Sequence, residues 1–152
     1  MRYKPHEYQK YAVEYIKTHP AAAIFLDCGL GKTSITLTAI ADLLFDSFEI
    51  HKVLVIAPLR VARDTWTAEA DKWDHLQNLI CSVAVGTEAQ RRAALMRYAD
   101  IYIINRENVQ CDRWKISKVY RLGKRPRRVQ LQQGRRLPIR PRRNLLGQRI
   151  RD

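Results

Sequence analysis

No run of apolar residues in this 152-residue chain approaches the ~18 that a membrane-crossing helix requires. Met1-Arg2-Tyr3-Lys4-Pro5 opens no apolar stretch of the secretory type, so no leader is expected. Cysteine is scarce. Cys28, Cys81 and Cys111 are odd in number and widely spaced, which excludes a disulfide framework and a zinc-ligand spacing. Three free thiols fit a reducing compartment, and a cytoplasmic location is expected. Acidic residues are also few, 15 against 28 Lys and Arg, and the shortage is local. Met1 to Gln110 carries 13 residues of each sign, whereas Cys111 to Asp152 holds 15 basic residues and 2 acids, so the whole +13 excess lies in the last part. Two kinds of sequence therefore meet near residue 110, and an asymmetry of this kind marks a basic tail.

The richest stretch is Leu26-Asp27-Cys28-Gly29-Leu30-Gly31-Lys32-Thr33. An apolar run, Ala21 to Leu26, precedes it, and a helical apolar pattern from Thr33 to Phe48 follows. Strand, glycine turn, Lys-Thr, helix is the order of a phosphate-binding loop. Small residues let successive N–H groups turn inward around a polyphosphate, and the helix adds its free N–H groups and positive dipole end. Lys32 is the candidate point charge for terminal phosphates and Thr33 the candidate magnesium ligand. The strict pattern has glycine five residues before Gly31, where this chain has Leu26. Cys28 reads as a small loop residue rather than a nucleophile, since no histidine is near it in sequence.

The rest of the chain up to Gln110 alternates helix and strand. Residues 5 to 18 read as an amphipathic helix with Tyr8, Tyr11, Ala12, Tyr15 and Ile16 on its core face, stopped at His19-Pro20. The helix after the loop is apolar nearly all round, as expected of a helix buried on several sides. Val53 to Ala57 is a buried parallel strand ended by Pro58. Arg60 to Leu76 is helical, with Trp66 and Trp73 on a core stripe. Ile80 to Val85 is a third strand. Thr87 caps a helix whose apolar side is expected to carry Ala89, Ala93 and Met96. Asp100 to Ile104 is a fourth strand, leading to Asn105-Arg106-Glu107-Asn108. This is an α/β layer with a parallel sheet, and ligands bind such sheets at the carboxyl ends of the strands. The glycine loop, Pro58-Leu59-Arg60 and Asn105-Arg106 all fall there. After Cys111 the periodicity ends. Arginine and proline dominate, apolar residues are isolated, and a disordered Arg/Pro-rich tail is expected.

Gln9 in Pro5-His6-Glu7-Tyr8-Gln9, the Asp27 to Thr33 loop, and Val53 to Leu59 with Trp66 and Trp73 downstream resemble the opening motifs of Swi/Snf-type ATPases. These are DEAD/DEAH-like enzymes of the second helicase superfamily, and the likeness is strongest to the short bacteriophage forms. The Asp-x-Gly-x-Gly-Lys-Thr loop is usual in that family, which accounts for Leu26. The resemblance spans roughly residues 3 to 109. It implies a RecA-like P-loop domain that takes ATP and Mg²⁺ through Asp27, Cys28, Gly29, Leu30, Gly31, Lys32 and Thr33. Lys32 would be the catalytic lysine, and Gln9 would contact the adenine. It implies that Pro58, Arg60, Asn105 and Arg106 meet DNA. For a phage gene, the host bacterial cytoplasm is implied.

The resemblance also implies parts that this sequence lacks. A complete motor has two RecA-like domains, and its next motif is an apolar strand ending in Asp-Glu, whose carboxylates hold magnesium and orient water. After Gln110 the acids are Asp112 and Asp152, neither after an apolar run. The expected chain is thus a partial domain over 1–110, able to bind nucleotide without efficient hydrolysis, with a tail over 111–152. A separate chain could carry the rest of the motor. The favoured reading of the tail is a sequence read out of frame. The alternative is a genuine basic arm that binds nucleic acid through phosphates, which would make the chain a non-catalytic binding protein. A small phosphotransferase is disfavoured by the residues around Pro58. Translating the DNA beyond codon 110 in the other two frames should reveal an apolar strand followed by Asp-Glu; finding none in either frame rules out the out-of-frame reading.

Overall fold

The computed structural model describes residues 1–112 and, further along, the backbone of one strand at 128–131. The element order is α1 (Glu7–Thr18), β1 (Ala21–Ile24), α2 (Lys32–Ala41), β2 (Val53–Ala57), α3 (Trp66–Lys72), β3 (Cys81–Ala84), α4 (Glu88–Met96), β4 (Ile101–Asn105) and β5 (Arg128–Leu131). Every strand pairing is parallel. One sheet has the order β2-β4-β3, with Val53 opposite Ile101, Ala57 opposite Asn105 and Cys81 opposite Ile101. The other pairs β1 with β5, from Ala21 opposite Arg128 to Ile24 opposite Leu131. The α/β class with a parallel sheet expected from the alternating pattern is what the chain adopts.

β5 corrects the sequence reading, which has no strand beyond residue 110. Arg128-Val129-Gln130-Leu131 does alternate polar and apolar residues, but so short a segment inside an arginine-rich stretch does not let the period stand out. Main-chain pairing to the open edge of β1 supplies what the side-chain pattern could not announce. β5 contains no carboxylate residue. The disorder expected of the tail concerns 113–127 and 132–152, which lie outside the described residues.

α2 holds the domain together. Its Leu37, Ile40, Ala41 and nearby Leu44 pack with Val55, Ala57, Trp66, Ile101 and Ile103, on the side of the three-stranded sheet. Ile35 and Ala39 pack instead with Ala12, Val13 and Ile16 of α1 and with Ala22 and Ile24 of β1. The all-round apolar pattern is explained by these two clusters. The helix runs on through a wider, π-type turn at Asp42–Asp46, and a second such turn, Val61–Thr65, leads into α3. Trp66 is 4 % exposed, and Trp73 packs against the same core while its Nε1 donates to Glu69 Oε2 at 2.8 Å. Both tryptophans are core, as their spacing suggests.

Two faces differ from expectation. In α1 the buried residues are Gln9, Ala12, Val13 and Ile16, while Tyr8 and Tyr11 are exposed by 40 % and 72 %. The face is turned so that Val13 takes the place expected of the tyrosines. In α4 the buried residues are Arg91 and Leu95, and Met96 is exposed. Arg91 is turned inward because it has partners there: its Nε donates to Asp112 Oδ2 at 2.7 Å and its Nη1 to the Gly86 carbonyl at 2.7 Å. Asp112 is fully buried. The pair pins the segment after β4 to α4 and to the end of β3. Thr87 caps α4 as expected: its Oγ1 accepts from the Gln90 N–H at 3.4 Å, and its own main-chain N–H donates to Gln90 Oε1 at 2.9 Å.

Urea denaturation should register both features. Leu37→Ala is expected to cost about 3 kcal/mol through lost burial and a residual cavity. Asp112→Ala should cost about 3 kcal/mol by leaving the Arg91 charge buried without its carboxylate.

Candidate functional site: a glycine loop at the end of β1

The chain leaves β1 at Ile24 and reaches α2 through the loop containing the glycines. Gly29 has φ +84° and Gly31 φ +75°, left-handed values that glycine adopts without strain. Gly31 has a second reason to lack a side chain. A Cβ there would lie 2.6 Å from Gln9 Nε2 and 2.9 Å from Ser34 Oγ. Gly31 is the N-cap of α2, and the first helical bond runs from the Ile35 N–H to the Gly31 carbonyl at 2.9 Å. The N–H groups of Lys32, Thr33 and Ser34 are consequently free of helical acceptors and open the helix end to an anion.

Lys32 turns back over the loop. Its ammonium donates to the carbonyls of Leu26 and Asp27, both at 2.7 Å. A positive charge is thus held at the centre of the cradle by two neutral acceptors and no carboxylate, so a phosphate can exchange for them. Asp27, Cys28, Gly29 and Leu30 are exposed, and Thr33 is half-buried one residue into the helix. The loop residues expected to hold ATP and magnesium are together in one turn, and their donors suit a polyphosphate.

Gln9 is placed more tightly than its expected role requires. It is 8 % exposed; its Oε1 accepts from the His6 N–H at 2.9 Å, and its Nε2 donates to the Leu30 carbonyl at 3.4 Å. The Tyr8 hydroxyl donates to the same carbonyl at 3.3 Å, and the Tyr8 ring stacks on His6 with centroids 5.7 Å apart. The start of α1 is therefore fastened to the loop, and Gln9 acts here as its clamp. Nearby, Tyr3 stacks on His75 at 4.6 Å, and His75 Nε2 lies 2.9 Å from Thr38 Oγ1 of α2. Burial pushes the Tyr3 phenol up, opposed by the hydroxyls of Thr38 and Ser34.

The residues expected to meet nucleic acid fall at neighbouring strand ends. Ala57 and Asn105 are register partners, so Pro58-Leu59-Arg60 and Asn105-Arg106 emerge side by side at the carboxyl edge of the three-stranded sheet. Pro58, Arg60 and Arg106 are exposed. Asn105 is not: it is 6 % exposed, donates to Glu107 Oε2 at 2.9 Å and accepts from Asn108 Nδ2 at 2.6 Å. It shapes the turn and leaves Arg106 to face outward. The Glu107 main-chain N–H and the Asn105 amide hold the Glu107 carboxyl below the usual carboxylate range. Sequence reasoning missed the Arg91–Asp112 pair and the clamping role of Gln9. A Thr87-x-x-Gln90 capping box was the one visible signal near the first, and neither buried partner could be told from a surface charge.

Among the described residues no group of His, Cys, Asp and Glu could hold a metal ion by itself. The cysteines give a direct probe of the site. Burial pushes the Cys81 thiol up to about 11, so it stays protonated at pH 8, whereas Cys28 and Cys111 are exposed. Iodoacetamide at pH 8 should label Cys28 and Cys111 and spare Cys81, and a bound polyphosphate should protect Cys28 alone; mass spectrometry of the labelled peptides checks both.

Comparison with known proteins agrees with this geometry. The family described as type III restriction enzyme, res subunit, matches residues 2–133, a span that includes the loop, the carboxyl-edge residues and β5. "Putative protein p41" of Acyrthosiphon pisum secondary endosymbiont phage 1 is 35% identical over 108 residues, covering 70% of this chain and 24% of that protein. The chain thus spans about a quarter of that relative. With the glycine loop on a parallel α/β layer and a family match over most of its length, the chain belongs to the type III restriction enzyme res-subunit family and carries a helicase-superfamily ATPase domain of that kind.

Proposed function

We propose that this chain binds ATP with Mg²⁺ as the N-terminal part of a DNA-dependent translocase of the Swi/Snf type. The observation that carries the reading is the Lys32 ammonium held over the loop by two carbonyls, beside the open N-terminus of α2. The backbone of Asp27, Cys28, Gly29, Leu30 and Gly31 would wrap the phosphates, Lys32 would neutralise the terminal ones, and the Thr33 hydroxyl would ligand magnesium. When bound, the metal supplies charge neutralisation on the phosphate oxygens. Gln9, released from the Leu30 carbonyl or still bonded to it, would offer its amide to the adenine. Pro58, Arg60 and Arg106 would meet the DNA backbone, with Asn105 setting the turn. Met1 to Gln110 would form the working part of the domain.

Hydrolysis is expected to be inefficient. β5 lies beside β1, next to the phosphate loop, yet brings no carboxylate among the described residues. Carboxylates at this site and a second RecA-like domain would be needed to turn binding into movement along DNA. A second reading rests on the charge excess between Cys111 and Asp152: nucleic-acid binding through the basic tail alone, without catalysis. No described helix is long and apolar enough to cross a membrane. A host bacterial cytoplasm remains the proposed location.

Labelled-ATP binding and phosphate release, each with and without DNA, separate these readings. Wild type should bind ATP, Lys32→Ala should lose at least tenfold in affinity, roughly the effect of one charge-assisted phosphate contact, and neither should turn over. DNA-stimulated phosphate release by wild type would refute the incompleteness of the site. DNA binding that falls steeply with salt and survives Lys32→Ala, in a protein that does not bind ATP, would favour the tail reading.

A further inference from the structure

A phosphate cradle works only while its N–H groups stay aimed at the anion, and α2 aims most of those in this loop. The Gly31 carbonyl accepts from the Ile35 N–H and from Ser34 Oγ, both at 2.9 Å, so the peptide unit between Gly31 and Lys32 is fixed by the helix. The unit before it, joining Leu30 to Gly31, lies outside the helical bonding. Gly31 has φ +75°, and glycine holds either sign of φ about equally well, so this unit can turn over at little cost. Its carbonyl and its N–H point opposite ways, because the peptide bond is planar and trans. Whatever holds the Leu30 carbonyl therefore sets the direction of the Gly31 N–H, which donates to no group among the described residues.

Two side chains hold that carbonyl. The Tyr8 hydroxyl donates to it at 3.3 Å and Gln9 Nε2 at 3.4 Å. Gln9 has other duties: it accepts from the His6 N–H and is the residue proposed to meet a base. Tyr8 makes no other hydrogen bond among the described residues, and its ring is set by stacking on His6, with centroids 5.7 Å apart and planes at 8°. We infer that Tyr8 is a positioning residue of the phosphate loop. By holding the Leu30 carbonyl toward α1, its hydroxyl keeps the Gly31 N–H turned away from α1 and toward a bound polyphosphate. The inference rests on the proposed nucleotide role of the loop and adds to it a residue outside the glycine–lysine–threonine run. Tyr8 acts through the loop backbone and not on the phosphates themselves. Without the hydroxyl, Gln9 Nε2 is the one donor left on the Leu30 carbonyl. The unit then spends part of its time turned over, presenting a carbonyl oxygen where the anion needs an N–H.

The test uses the full chain labelled with ¹⁵N-glycine, and inorganic tripolyphosphate, which has no base for Gln9 to meet. In wild type, tripolyphosphate should move the Gly31 amide-proton resonance downfield, as a new bond to an anionic oxygen does. Tyr8→Phe keeps the ring and its stack on His6 and removes one hydroxyl. It should leave the urea midpoint unchanged, weaken tripolyphosphate binding about fivefold, the worth of one neutral hydrogen bond, and shift or broaden the Gly31 resonance of the ligand-free protein. Tyr11→Phe, which removes another exposed hydroxyl of α1, should match wild type in all three respects. If Tyr8→Phe binds tripolyphosphate as tightly as wild type, or if tripolyphosphate leaves the Gly31 resonance in place, the inference is overturned while the loop reading stands. Weaker binding with a lowered urea midpoint and an unmoved Gly31 resonance makes Tyr8 a structural support only, and overturns it too. If wild type binds neither tripolyphosphate nor ATP, the loop reading fails and the inference fails with it.

Discussion

The packing of α2 is the constraint on which the rest depends. Among the described strands none hydrogen-bonds across from the β1–β5 pair to the three-stranded sheet. The connection is made by one helix with two buried faces, Leu37 and Ile40 toward one sheet, Ile35 and Ala39 toward the other. Leu37, Ile40 and Ile35 each contribute about 2 kcal/mol when fully buried, and the same helix begins at the glycine loop. The position of Lys32 relative to the carboxyl edge of β2 and β4 is therefore set by core packing. A void under α2 would move the loop as well as destabilise the fold.

A second tier of contacts fixes the loop from the other side. The Leu30 carbonyl accepts from both Tyr8 and Gln9, and Gln9 is itself held by the His6 N–H. A Cβ at Gly31 would lie 2.6 Å from that amide nitrogen, so a side chain there would displace Gln9. These contacts fasten the start of α1 to the glycine loop.

The basic excess and the added strand change how the end of the domain is understood. Composition marks residue 110 as a break, yet Asp112 is buried against Arg91 and Arg128–Leu131 lies on β1. Both contacts fall within the 2–133 span of the family match. Buried ion pairs add little net stability but penalise alternatives that would leave one charge alone. Here the pair ties the segment after β4 to α4.

Local chemistry made much of the protein legible. The glycine–lysine–threonine spacing, the run Val53 to Ala57, the period of α2 and the Thr87 cap each depend on near neighbours in the chain, and the sequence states them outright. The α/β class and the place of the glycine loop between β1 and α2 followed from these alone. What tertiary structure decided involves partners far apart in the chain. Arg91 faces inward because Asp112, on a different element, neutralises it; Tyr8 and Tyr11 face outward because Val13 fits the α2 surface; Asn105 is taken up by its own turn; and β5 forms because β1 has a free edge. Side-chain period reports burial only when apolar residues do the burying. A buried charge, a clamping amide and a main-chain pairing leave no such mark, and their places are set by the fold.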